Sequence, residues 1–231
     1  MFGSVRVIGT GRAGGTIAAR LRQRGLAVRA GRSAADGAAA DDLVILAVPD
    51  DAIAGVARAI ATGPWVAHVS GATTLAALGP HERRFSVHPL QTLSRERGPE
   101  QLDGAWAALT AESDDALRRA MWLAETLGLR HFPLRDADRP LYHAAAVIAG
   151  NYLVTLQRTA ARLFDEVGAP PEALVPLMLR TIENGFVLTG PIARGDEGTI
   201  RAHLAALDDR APEVEPLYRA LAEATRTVHR S

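Results

Sequence analysis

The stretch Val5-Arg-Val-Ile-Gly-Thr-Gly-Arg-Ala-Gly14 decides the fold. Val5–Ile8 reads as a short apolar strand, and an Ala/Leu/Arg run from about Ala13 to Arg24 reads as a helix. Between them sit three glycines, Gly9, Gly11 and Gly14, with Thr10, Arg12 and Ala13 filling the loop. At this spacing the first glycine permits a tight turn and the second lets the backbone approach a pyrophosphate. The third lets the helix pack close to the strand. The amides at the start of the helix then face the phosphates. A strand before this turn, a helix after it and a further strand beyond are the context in which the pattern means dinucleotide binding.

Working outward, Leu26–Ala30 reads as the second strand and ends in Ala30-Gly-Arg-Ser33. A site for NAD places a carboxylate there to hold the ribose hydroxyls. The Arg32 guanidinium and Ser33 hydroxyl instead suit a 2′-phosphate, so the expected cofactor is NADP. Arg12 adds a second cation for the same phosphate or for the adenine face. Leu43–Val48 is a continuous apolar run stopped by Pro49, as expected of a strand buried on both faces. Asp50 or Asp51 is expected to cap the next helix. Only ten residues, 33–42, precede this strand, which leaves little room for a crossover helix. Trp65–Val69, Arg84–Val87, Trp106–Thr110 and Leu129–Leu134 read as further strands, with a helix over Asp114–Leu127. Val48-Pro49 and Ser70-Gly71 follow strands at the edge where ligands collect, so they are expected to border the nicotinamide ribose. For Ser70 a simple turn role is an equal reading.

The strand signals stop at Asp136. The expected fold class is therefore α/β, with a Rossmann domain of mostly parallel sheet over residues 1–135 and an all-α domain over 136–231. One helix is predicted over 138–167, with an apolar stripe through Leu141, Ile148, Tyr152 and Leu156. Pro170-Pro171 begins a second helix reaching about Leu188, a third ends near Leu207, and Pro212 begins a fourth. So small a helical domain cannot cover that stripe itself, which predicts a homodimer through it.

Composition narrows the chemistry. The 231 residues are 48% hydrophobic, with 26 basic and 26 acidic side chains, so nucleic acid is not an expected partner. There is no cysteine, which excludes disulfides and thiol catalysis. There is no lysine either, which excludes Schiff-base chemistry and a lysine general acid. No apolar run is long enough to span a membrane and no signal peptide is evident, so a cytoplasmic protein is expected.

Histidine is left as the side chain that titrates near neutral pH. No metal-binding spacing is present, and none of the Gly-x-Ser-x-Gly type that marks triad hydrolysis. His88 precedes Pro89 after a strand and is placed to face the cleft. His143 lies eight residues before Asn151 on the predicted helix, so the two line one groove without touching. Arg194, in the loop Leu188-Thr-Gly-Pro-Ile-Ala-Arg-Gly-Asp196, suits an anionic substrate group, while Asp196 reads as a helix cap. His143 is the first candidate for proton donor and His88 the second. Asn151 is assigned to the substrate carbonyl and Arg194 to its carboxylate.

Several further motifs stand beside the glycine turn. They are Leu46-Ala-Val-Pro-Asp50, His68-Val-Ser-Gly-Ala72, Ser86-Val-His-Pro-Leu-Gln-Thr92, Leu141-Tyr-His-Ala-Ala-Ala-Val147, Asn151, and Leu188–Asp196 with His203. With them the chain resembles, over nearly its whole length, bacterial Rossmann-like proteins with a helical C-terminal domain of unknown function. That family is similar in fold to the 6-phosphogluconate and β-hydroxyacid dehydrogenases, pyrroline-carboxylate reductase and the deazaflavin-dependent NADP oxidoreductases. The resemblance implies a dimeric, nicotinamide-dependent oxidoreductase, and some members resemble an alternative ketopantoate reductase. β-Hydroxyacid dehydrogenases use a catalytic lysine, which this chain lacks. Two readings follow: an NADP(H)-dependent reductase of a small carbonyl or imine compound, and a non-catalytic NADP-binding or redox-sensing dimeric module.

Overall fold

The computed structural model describes residues 2–32 and 40–230, so Ser33 lies outside the described residues. They form two compact units, 1–150 and 151–231. The sequence boundary at 135 and this division differ by the first turns of the helical region, which belong with the sheet.

In the first unit, β1 (Ser4–Ile8), α1 (Arg12–Gln23), β2 (Ala27–Gly31), β3 (Leu43–Leu46), α2 (Asp50–Arg58), β4 (Trp65–His68), β5 (Arg84–Leu90), β6 (Trp106–Ala111), α3 (Asp114–Leu127) and β7 (Arg130–Pro133) follow in order. The strands make one sheet, β2-β1-β3-β4-β5-β6-β7. β1 to β5 are parallel, β6 is antiparallel to β5, and β7 is parallel to β6. Alternation along the strands builds a core on each face. Val5, Val7, Leu43, Ile45 and Phe85 pack with Ile17 and Leu21 of α1 and Leu123 of α3. Ile8, Val44, Leu46 and Val66 pack with Ile53 of α2 and the 3₁₀ turn Leu75–Leu78. Each fully buried side chain of this kind contributes about 1.5–3 kcal/mol. Arg6, on the buried strand β1, is matched by Asp41 at 3.2 Å.

Two local expectations are corrected. Pro49, not Asp50 or Asp51, is the N-cap of α2, and neither carboxylate makes a cap bond. Both lie in the first turn, where they favour the helix through its dipole alone. The helix predicted over 138–167 is instead α4 (Arg139–Val147), a π-helical turn (Ile148–Tyr152) and α5 (Leu153–Glu166). Gly150 lies in that turn, where a residue without a side chain resists departure from α geometry least.

The second unit continues from α5 to α6 (Leu174–Glu183), the single turn α7 (Pro191–Arg194), α8 (Glu197–Arg210) and α9 (Glu215–Arg230). α6 stops short of Leu188 because Asn184-Gly185 ends it, with Gly185 at φ 70°. Asp196 caps α8 as expected, accepting from the Thr199 amide at 3.0 Å. The buried apolar cluster of this unit is small: Leu207, Ala211 and Val214, with Leu163 and Tyr218 against it.

Candidate functional site

Two groups of residues gather at the C-terminal edge of the parallel strands, where open α/β sheets bind ligands. The first lies at β1, which β2 and β3 flank on opposite sides. A groove of about 510 Å³ opens there. It is lined by Gly9, Thr10 and Gly11, by Ala47, Val48 and Pro49 after β3, and by Arg32 and Arg95.

The three glycines have different reasons to be glycine. Gly9 holds φ 105°, and a Cβ there would run into the Ala47 carbonyl. A Cβ at Gly14 would run into the Gly9 carbonyl. Both therefore serve the protein's own packing. Gly11, the N-cap of α1, has an ordinary φ of −69°, and a Cβ on it would meet nothing within 4 Å. The chain itself does not require glycine there. The open space lies beside the first amides of α1, which have no side-chain cap. An anion brought against the backbone fits this arrangement.

Ala47 and Arg95 line the groove although the sequence reading did not name them. Ala47 lay hidden inside the apolar run taken for strand. Arg95 sits in the loop between β5 and β6, and no local pattern ties it to the glycine turn. The link is tertiary. The Gln101 side-chain amide reaches the carbonyls of Ser94 and Gly98 at 3.1 and 2.9 Å. Arg20 of α1 donates to the Pro99 carbonyl at 2.6 Å and pairs with Asp103 at 2.9 Å. The Glu96 carboxylate is held below its ordinary range, first by the Ser94 hydroxyl, with Arg95 and Arg12 adding in the same direction. Arg12 and Ala13 open α1 without lining the groove, and Gly14 is buried beneath it.

The second group joins the ends of β4 and β5 to the start of α4. The Ser70 hydroxyl is engaged inside its own turn, accepting from the Ala72 and Thr73 amides at 3.2 and 3.0 Å. Its carbonyl accepts from the fully buried Arg139 at 3.0 Å. Arg139 also donates to Asp136 at 2.6 Å, and Asp136 accepts from the Leu75 amide at 2.8 Å. This bracket fixes α4 against the Ser70–Leu75 turn. His88 and His143, the two candidate donors, are thereby neighbours, with ring centroids 6.3 Å apart. Gly71 lets them approach: a Cβ there would lie 2.7 Å from His88 and 2.8 Å from His143. Tyr142, unassigned in the sequence reading, bonds His88 Nδ1 at 2.6 Å. Asn151 and Arg194 belong to the second unit. Asn151 is exposed in the π turn, and Arg194 donates to the Thr189 carbonyl of its own loop.

Burial governs the charges here. It pushes the His88 imidazole down to about 4, with His143 and Arg139 adding to the effect. His68, sealed within the sheet with its Nδ1 accepting from the Ser70 amide, is pushed down to about 3, by burial first and Arg139 second. Both rings are neutral in the folded protein near neutral pH, whereas in the unfolded chain each takes up a proton near 6.5. Stability is therefore full above that value and falls as pH drops through it toward 4. The slope is about 1.4 kcal/mol per pH unit for each extra proton. Urea unfolding between about pH 6.5 and pH 5 should show this loss, and His68→Asn should make it shallower by about one proton. A stability independent of pH over that window contradicts the assignment.

Among the described residues no cluster of His, Asp or Glu could hold a metal, and no helix is long and apolar enough to cross a membrane. No curated protein matches the chain. Solved structures do. A Bacteroides fragilis protein whose name marks it as a candidate NADP oxidoreductase shares 21% identity at a TM-score of 0.83, over 97% of this chain and 98% of its own. Protein TM1727 of Thermotoga maritima shares 22% at 0.70, over 96% and 99%. The 1-pyrroline-5-carboxylate reductase of Streptococcus pyogenes shares 17% at 0.65, over 98% and 97%. At these identities the likeness is one of fold. Residues 105–225, just over half of the chain, match the family described as a domain of unknown function, DUF2520, and the chain belongs to that family.

Proposed function

We propose that this protein is an NADP(H)-dependent oxidoreductase that reduces a small carbonyl or imine compound. The carrying observation is the groove at Gly11. It combines a glycine the chain does not itself need, the uncapped start of α1, and Arg32 and Arg95, with no carboxylate among the described residues that line it. The names of two proteins of like fold, an NADP oxidoreductase and a pyrroline-5-carboxylate reductase, point the same way. Gly9, Thr10 and Gly11 would hold the pyrophosphate, Arg32 the 2′-phosphate, and Val48-Pro49 the nicotinamide ribose. When bound, the nucleotide supplies the hydride. The protein's own task is to orient the acceptor and deliver a proton, for which His143 is the candidate, beside a His88 ring whose neutral state lets it offer a hydrogen bond.

Arg32 and Arg95 make the nucleotide reading testable. Arg32→Ala should narrow the preference for NADPH over NADH at least tenfold, as expected for loss of a charged hydrogen bond of about 1.5–3 kcal/mol. Arg95 lines the groove with Gly9, Thr10 and Gly11, which would hold the pyrophosphate common to both nucleotides, so Arg95→Ala should weaken both alike. Calorimetric titration measures both effects, and an unchanged preference in Arg32→Ala contradicts the 2′-phosphate assignment. Ketopantoate is the first compound to screen with NADPH, by the loss of nicotinamide absorbance. Nucleotide binding without turnover on any carbonyl or imine would favour the non-catalytic module instead.

The same reading includes a homodimer through the helical unit. Its small buried apolar cluster contrasts with the stripe read for the dimer, Leu141, Ile148, Tyr152 and Leu156, all of which are exposed. A second copy presents the same face, and zero net charge puts no general repulsion between copies. The interface should bury more than about 2,000 Å², as obligate dimers do. Sedimentation at micromolar concentration should give a dimer, and a monomer there contradicts the assignment.

A further inference from the structure

We infer that Tyr142 pins His88 as the neutral tautomer with its proton on Nε2, making His88 a fixed hydrogen-bond donor beside Gly71 and His143. The Tyr142 hydroxyl and His88 Nδ1 lie 2.6 Å apart, with the rings edge to face at 5.6 Å. A phenol hydroxyl always carries a proton to place unless it is ionised. Burial pushes the Tyr142 phenol up to about 12, so it remains protonated. Among the described residues His88 Nδ1 is the acceptor in its reach. The phenol therefore donates and Nδ1 accepts, which leaves the ring's own proton on Nε2.

The surroundings favour this state over the cation. From α4, Arg139 and His143 disfavour a charge on His88, and Asp50 at the start of α2 only partly offsets them. His68 on β4 is a further titratable neighbour, and it too is held neutral. Nε2 is among the His88 atoms nearest to where a Gly71 side chain would stand, at 2.8 Å. The donor is thus presented at the one residue of the Ser70–Leu75 turn that has no side chain to cover it. Tyr142 is a positioning residue, acting through His88. For the reductase this donor would polarise a carbonyl oxygen or imine nitrogen; that role rests on the proposed function, but the tautomer does not.

Nitrogen NMR of the full chain carrying ¹⁵N-labelled histidine, without nucleotide, tests the inference. His88→Gln assigns the signals. Near pH 7, His88 should show a bare, hydrogen-bonded Nδ1 and a protonated Nε2, and should stay neutral down to about pH 5. In Tyr142→Phe the Nδ1 signal should shift as its bond is lost, and the titration midpoint should rise toward the ordinary histidine value. A proton on Nδ1, an imidazolium near neutral pH, or a signal unmoved in Tyr142→Phe overturns it. Should that variant fail to fold, the wild-type spectrum alone decides the tautomer. These spectra can fail while NADPH still binds, and can hold where NADPH does not, so the two readings are tested separately.

Discussion

Gly11→Ala should lower the melting temperature by no more than about 4 °C and lose NADPH affinity by tenfold to a hundredfold, about 1.4–2.7 kcal/mol. The expectation comes from contrasting three glycines within one turn. A methyl group at Gly9 or Gly14 collides with backbone carbonyls, so those substitutions should lower stability before they affect any ligand. A methyl group at Gly11 meets nothing in the chain and leaves φ in an ordinary region. What it occupies is the space beside the first amides of α1. Replacement of an N-cap glycine by alanine should itself cost no more than about 1 kcal/mol. A thermal scan and a nucleotide titration on the same variant read the two quantities apart. Unchanged affinity would remove the pyrophosphate from this groove, and a collapse in stability would give Gly11 a packing role that its surroundings do not show.

His143→Ala should lower turnover about a hundredfold and leave NADPH affinity nearly unchanged. A reduced carbonyl or imine must take up a proton, and with lysine and cysteine absent from the chain histidine is the natural donor. His143 meets that need from α4, beside His88 and over Gly71. Its ring also packs there, so removal has a structural consequence to separate from the chemical one. Melting temperature and turnover measured on one preparation achieve this. Lowered stability with wild-type turnover would reject the donor role of His143.

How far the sequence carries depends on whether the deciding contacts are local. α3 was legible to the residue because its ends are written in the chain: Ser113 caps it by accepting from the Ala116 amide at 3.2 Å, and Gly128 leaves it at φ 85°. β1, the glycine turn and the buried run of β3 were equally local. The π turn at Ile148–Tyr152 was not, because the apolar spacing passes through Gly150 without a break that periodicity can register. Asn184-Gly185 was a stop signal in plain view, overridden by the apolar residues after it.

The candidate site divides in the same way. Gly9, Thr10, Gly11, Arg32, Val48 and Pro49 follow strands in the sequence and line one groove in the structure. Arg95 comes back to that groove through Gln101 and Arg20, contacts that no short window contains. His88 and His143 lie fifty-five residues apart in the chain. They meet because Arg139 fastens α4 to the turn after β4. Tyr142 became visible only through the bond it makes to one of them.

The most direct measurement is a titration of the unmodified protein with NADPH and, separately, with NADH. The account predicts one NADPH per chain, bound at least tenfold more tightly than NADH, since Arg32 offers a cation to the 2′-phosphate and the end of β2 offers no carboxylate to the ribose. Equal affinity for the two nucleotides would contradict the choice of NADP, and binding of neither at millimolar concentration would contradict the account as a whole.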